Sequence, residues 1–154
     1  MRRLSDGLRL VLVSPELVGV LAPWALLAFV PDWPSVMAKP MSEGVGFGLT
    51  AAGLLLAACA FCYKEGGELI DPSGPRAVLL EWPDYHMLKA RVVASLVWCV
   101  LGIGCVLAAT WMAAAAVGTH VAGALLSSGV LAAAAAVGTV ALARYRIREL
   151  LFQK

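Results

Sequence analysis

The sequence predicts an all-α membrane protein of four transmembrane helices, with both termini on the cytoplasmic side. Three observations carry that prediction. Of the 154 residues, 61% are hydrophobic and only 14% are charged, against roughly 25% charged in an ordinary soluble domain. The apolar residues fall in four runs, each near the roughly 20 residues that cross a bilayer. Finally, the basic residues gather on one side of those runs. A soluble domain this small could not cover so much apolar surface with so few charges, whereas lipid removes the need. The length suits one polytopic domain, residues 1–154.

The first run is Leu10 to Val30. Arg2 and Arg3 resemble the start of a leader, but no small-x-small site is followed by a polar domain, so the run is expected to be retained. Within it, Ser14-Pro15-Glu16 reads as a helix start: Ser14 as N-cap, Pro15 at the first helical position, Glu16 near the positive end of the dipole. A span that begins at Pro15 is short, and Pro23 kinks it. Pro31-Asp32-Trp33-Pro34 and Lys39-Pro40 then punctuate a loop that ends the helix. Trp24 and Trp33 are the residue type of an interfacial belt, Trp33 the better placed.

The second run is Gly44 to Tyr63, with Gly44, Gly48 and Ala52 at four-residue spacing. Helices associate in lipid largely through such small-residue faces. The third, Val92 to Val117, starts as a helix near Pro83-Asp84 and reaches about 50 Å, so its first turns project beyond the bilayer core. The fourth, Val121 to Ala143, repeats the small-residue pattern at Gly123 and Ser127 and at Ala134 and Gly138. A basic tail, 144–154, follows as a helical continuation along the membrane surface.

Orientation comes from counting Lys and Arg. Arg2, Arg3 and Arg9 precede the first run. Lys64, Arg76, Lys89 and Arg91 lie between the second and third, and Arg144, Arg146, Arg148 and Lys154 follow the fourth. Only Lys39 falls on the other side. An even number of spans puts the three groups on one face, the cytoplasmic face of an inner (plasma) membrane, with a tight external turn at Gly118 to His120.

No catalytic, cofactor or metal motif is visible, and no signal for direct nucleic-acid binding. Cys59-x-x-Cys62 has a redox or metal spacing, but there is no second pair, and free cysteine packs as a small apolar residue. Cys99 and Cys105 are read the same way, and His86 and His120 belong on opposite sides. Glu16, the one carboxylate near the interior of a span, is a functional position by default. Four helices with one glutamate in the first resemble the small multidrug exporters, a likeness that implies proton-coupled transport through Glu16. The long central loop and the lack of an aromatic set around Glu16 depart from that pattern. Capping or structural pairing is the plainer role for it.

The polar stretch between the second and third runs, Lys64 to Arg91, is the main functional expectation. Glu68-Leu69-Ile70-Asp71 and Ala77-Val78-Leu79-Leu80-Glu81 flank a Pro72-Ser73-Gly74-Pro75 turn and suit a short β-hairpin. Such a hairpin is marginal alone in water. Leu69, Ile70, Val78, Leu79 and Leu80 therefore need a cover, and Trp82, Tyr85 and Met87 are residue types suited to an interface. The expectation is a non-enzymatic anchor, sensor or scaffold. It assembles as a homo-oligomer and presents residues 64–91 to a cytoplasmic protein. By analogy of architecture alone, small four-span proteins of this kind occur in bacterial defence and immunity. The alternative is a small transporter or multimeric channel using Glu16.

Overall fold

A computed structural model describes residues 14–42, 44–70 and 85–152, with 150–152 described by backbone alone. The described residues form five helices and no strand: α1 Pro15–Leu27, α2 Trp33–Ser42, α3 Val45–Ile70, α4 Tyr85–Ala114 and α5 Thr119–Phe152. Three of them, α3, α4 and α5, are long and apolar enough to cross a membrane. Among the described residues the expected four full spans correspond to three long apolar helices and the shorter α1. With 13 residues, α1 covers about 20 Å, less than the roughly 30 Å of a bilayer core.

The start of α1 is where its cap residues place it. Ser14 is extended, with ψ 140°, and its hydroxyl accepts from the Leu17 N–H at 3.2 Å. Pro23 lacks the N–H that would bond the Gly19 carbonyl. A neighbouring helix supports this weak point, since Ser128 Oγ donates to the adjacent Val20 carbonyl at 2.9 Å. Gly19 itself lies against the backbone of Leu131 and Ala132.

Helix α2 corrects the expectation of a loop at 31–40. Pro34 falls in its first turn, where a missing N–H costs nothing, and Pro40 removes one bond close to its end. Burial then decides the conformation, as it usually does for short helices. Ala38 and Met41 are each 1% exposed, in a cluster with Ala109, Ala113 and Ala122. Ser42 Oγ closes the last turn on the Lys39 carbonyl.

Helices α3 and α5 both outrun the expected spans. The chain stays helical through Lys64–Ile70, so the first arm expected of a hairpin, Glu68–Ile70, is the last turn of α3. The second arm, 77–81, lies outside the described residues, as does Trp82. The basic tail is not a separate surface segment: α5 runs on for 34 residues, about 51 Å.

All four other helices pack on α5. Backbones come close to one another at α4, where a Cβ added to Gly102 would sit 2.8 Å from the Gly129 carbonyl oxygen. A Cβ on Gly123 would overlap the Pro34 carbonyl, and one on Gly48 would overlap Thr110. Ala52 is buried in the same layer as Gly48. Ser127 turns its hydroxyl back to the Gly123 carbonyl at 2.9 Å. The remaining small residues of the expected faces point away from neighbours: Ala134 is exposed, and nothing lies within 4 Å of a Cβ built on Gly44 or Gly138. The turn from α4 to α5 falls a little before the expected Gly118–His120. Ala116 adopts a left-handed conformation, φ 54°. Its N–H bonds the Ala113 carbonyl and that of Val117 bonds Met112, the pattern of a Schellman cap. Gly118, φ 61°, follows.

Gly102→Val should therefore lower stability by about 2–3 kcal/mol, the usual cost of overpacking, read as a reduced thermal midpoint in detergent. Gly104→Ala, where the added Cβ meets open space, should leave that midpoint unchanged or raise it. Equal losses in both variants would remove the Gly102–Gly129 contact from its central place.

Candidate functional site at the basic end of the bundle

The order of the helices brings one end of each long element together. α1 and α4 begin there, and α3 and α5 end there. Tyr85, the first residue of α4, donates its hydroxyl to the carbonyl of Ile70, the last residue of α3. Leu69 and Val92, each 2% exposed, pack with Ile147 of α5 at 5%. Ile70, Tyr85, Leu88 and Ala143 pack around them. Ile70 and Tyr85, which flank residues 71–84, are thus tied by a hydrogen bond beside an apolar plug.

Charge reinforces this end. The Arg144 guanidinium of α5 pairs with the Glu65 carboxylate of α3, and its other terminal nitrogen lies 3.7 Å from Glu68. The Glu65 side chain is 11% exposed and that of Arg144 27%. A pair this shielded is felt more strongly than a surface one, but each partner is costly without the other. Lys64, Lys89, Arg91, Arg146 and Arg148 lie on the same parts of α3, α4 and α5. Lys39, on α2, lies at the opposite end, where Pro34 meets Gly123.

Deeper in the bundle runs a thin polar seam. Glu16 is 2% exposed and Ser95 is fully buried, and Ser95 Oγ donates to Glu16 Oε1 at 3.0 Å. The bond ties α1 to α4, as Ser128 ties α1 to α5. One turn along α4 from Ser95, Cys99 faces Cys62 at 3.9 Å between sulfurs, both fully buried with Ala136 and Val140. Cys59 packs on this cluster, and all four cysteines are free. Among the described residues no group of three or more His, Cys, Asp or Glu could hold a metal ion.

Two hollows flank α1. At the basic end, a pocket of about 300 Å³ opens between α1, α4 and α5, with Arg91 and Arg146 on a lining that is otherwise mostly apolar. At the other end, an apolar groove of about 550 Å³ runs past Pro23, Trp33 and Val130, and the buried Trp33 Nε1 there has no hydrogen-bond partner.

Comparison with protein-family models, with curated proteins and with solved structures finds no match for this chain. Its chemistry is accordingly read from its own residues.

Of the residues expected to meet a partner, Leu69 is committed to the bundle's interior. Ile70 and Tyr85 are partly buried beside it, and Met87 is 40% exposed. Val78, Leu79, Leu80 and Trp82 lie outside the described residues. Sequence reasoning missed Glu65 and Arg144 as a pair, counting Arg144 only for orientation. The signal was present: Cys62, Glu65 and Leu69 recur at helical spacing, which continues α3 through the stretch expected to be loop.

Arg144→Met should cost about 3 kcal/mol by stranding Glu65, the low end for breaking a buried pair. Adding Glu65→Leu to it should restore most of that loss. A double-mutant cycle on the thermal midpoint, in the same detergent, checks both; simple additivity would show that the two side chains do not interact.

Proposed function

We propose that this protein is a non-enzymatic membrane anchor or scaffold that presents segment 71–84, with the exposed Met87 beside it, to a protein in the cytoplasm. The observation that carries this reading is the braced stem. Tyr85 bonds the Ile70 carbonyl, Leu69, Val92 and Ile147 fill the space beneath, and Arg144 clamps α3 to α5. A segment delivered from a rigid platform loses less conformational freedom on binding than one on a free tether. The segment also carries Val78, Leu79, Leu80 and Trp82, apolar and aromatic residues of the kind that anchor interfaces.

The membrane setting rests on the three long apolar helices and on outward residues such as Phe29, Leu54, Val100 and Leu142 that suit acyl chains rather than water. With basic residues excluded from translocation, the end bearing Arg144 and Arg91 is the cytoplasmic one in this reading, and both termini lie on that side of the inner membrane. The outward Ala134 and Gly138 on α5 leave room for a second copy to approach closely, which supports a homo-oligomer.

Leu79→Asp should abolish co-purification of the cytoplasmic partner from native cells, while insertion and thermal midpoint stay as in the unaltered chain. Undiminished co-purification would sink the scaffold reading.

A second reading, transport, draws on the burial of Glu16. If Glu16 carries protons, Glu16→Gln abolishes proton-coupled flux in liposomes yet keeps an oxygen for Ser95 to bond, so the fold survives. If Glu16 is only the clamp between α1 and α4, Gln is tolerated in every assay. Glu16→Leu, which leaves Ser95 without its acceptor, then costs about 1–3 kcal/mol.

A further inference from the structure

We infer that the pocket between the start of α1, α4 and α5 is a binding site for an anionic phospholipid, its phosphate held by Arg91 and Arg146. The inference rests on the membrane reading above but not on any protein partner. Three features of the pocket point the same way.

The first is unspent charge. Among the described residues Arg144 is ion-paired to Glu65 and Glu68, while Arg91 and Arg146, on the lining of one pocket, have neither an ion-pair nor a hydrogen-bond partner. Two guanidiniums facing the same hollow repel each other until an anion sits between them, and guanidinium is the group best shaped to chelate phosphate oxygens. Pro15 also lines the pocket, so the positive end of the α1 dipole adds to the field there.

The second is the rest of the lining. Leu88, Val92 and Leu142 make the walls apolar. A free phosphate gains nothing from them, whereas a lipid offers its phosphate to the arginines and the first carbons of its chains to the leucines and valine. The third is place. Arg91 lies six residues into α4, and Arg146 lies six residues before the end of α5. Both are on the end of the bundle where charge and apolar surface meet, the level of a headgroup. Basic pockets between spanning helices at this level are the physical type of an anionic-lipid site.

The test is native mass spectrometry of the full-length protein released from detergent, titrated with phosphatidylglycerol, with phosphatidylcholine, or with inorganic phosphate. Phosphatidylglycerol should bind the unaltered chain more tightly than phosphatidylcholine does. Arg91→Gln with Arg146→Gln should weaken phosphatidylglycerol on the order of tenfold, leaving phosphatidylcholine unchanged. Arg146 is exposed, so Arg146→Gln alone should fold and show a share of the loss even if the double variant does not purify. Arg148→Gln, one charge removed from outside the pocket, should keep the preference. The proposal is overturned if the two lipids bind equally, if Arg146→Gln binds phosphatidylglycerol as the unaltered chain does, or if Arg148→Gln loses as much as Arg146→Gln. Inorganic phosphate displacing the lipid at equal concentration would also overturn it. Loss of co-purified protein in Leu79→Asp with lipid preference intact would separate this site from the scaffold surface.

Discussion

Helix α5 is narrow along most of its length, and the other helices depend on that narrowness. In water, apolar side chains drive helices together. In lipid that drive is absent, because acyl chains are as apolar as leucine, and association has to come from contact surface and a few hydrogen bonds. Contact surface is largest where backbones approach closely. Gly123, Gly129, Ala132 and Ala136 are all buried on α5 and allow that approach to different neighbours: Pro34 of α2 at one level, Gly102 of α4 at another, the cysteine pair at a third. A single helix can serve four partners only if its side chains do not hold them apart. Two polar side chains add to these contacts, Ser128 toward α1, beside Gly129, and Arg144 toward α3, nearer the end of the helix.

Several buried polar groups bridge two helices, while Thr110 turns its hydroxyl back to the Val106 carbonyl of its own helix. Ser95 joins Glu16, and Ser128 joins the Val20 carbonyl, next to the Gly19 carbonyl that Pro23 leaves without its helical donor. Such bonds are worth on the order of 1 kcal/mol in lipid, so they position α1 more than they hold the bundle. That is the service a 13-residue helix needs, since it has little surface of its own. Without these bonds its burial against α5 would not specify rotation or depth, and Glu16 would have no defined place.

The sequence announced the three long helices, their small-residue contacts and the side on which charge collects, because each of these is a property of composition or period. Gly48 and Gly123 were visible as contact points, since small residues at four-residue spacing let helix backbones approach closely. Ala134 and Gly138 carry the same spacing yet face outward, because spacing defines a face without saying what meets it. Helix α2 was hidden behind two prolines whose local cost is outweighed by the burial of Ala38 and Met41, a tertiary effect with no local trace. The last turns of α3 were hidden by their own charges. Glu65 and Glu68 read as loop residues until Arg144, some eighty residues away, is known to sit beside them.

The helical state of those charged turns changes where function resides. Lys64 to Arg91 has the composition of a long polar loop, yet all of its described residues belong to the end of α3 and the start of α4. Among the described residues, its charges are spent on joining those ends, as at Glu65 and Glu68, or lie along the same helix turns, as at Lys64, Lys89 and Arg91. Segment 71–84 is flanked by Ile70 and Tyr85, which are bonded to each other. A partner that pulled on it would load the Leu69–Val92–Ile147 plug and the Glu65–Arg144 clamp together. Arg91 is one position from Val92, and Arg146 one from Ile147. The plug therefore shares its backbone with the two arginines of the neighbouring pocket, and an occupant there would bear on the same helix turns that hold the segment. If both proposed occupants bind, they would be coupled through helix turns one residue apart, a short route by which a membrane's composition could act on what the protein displays.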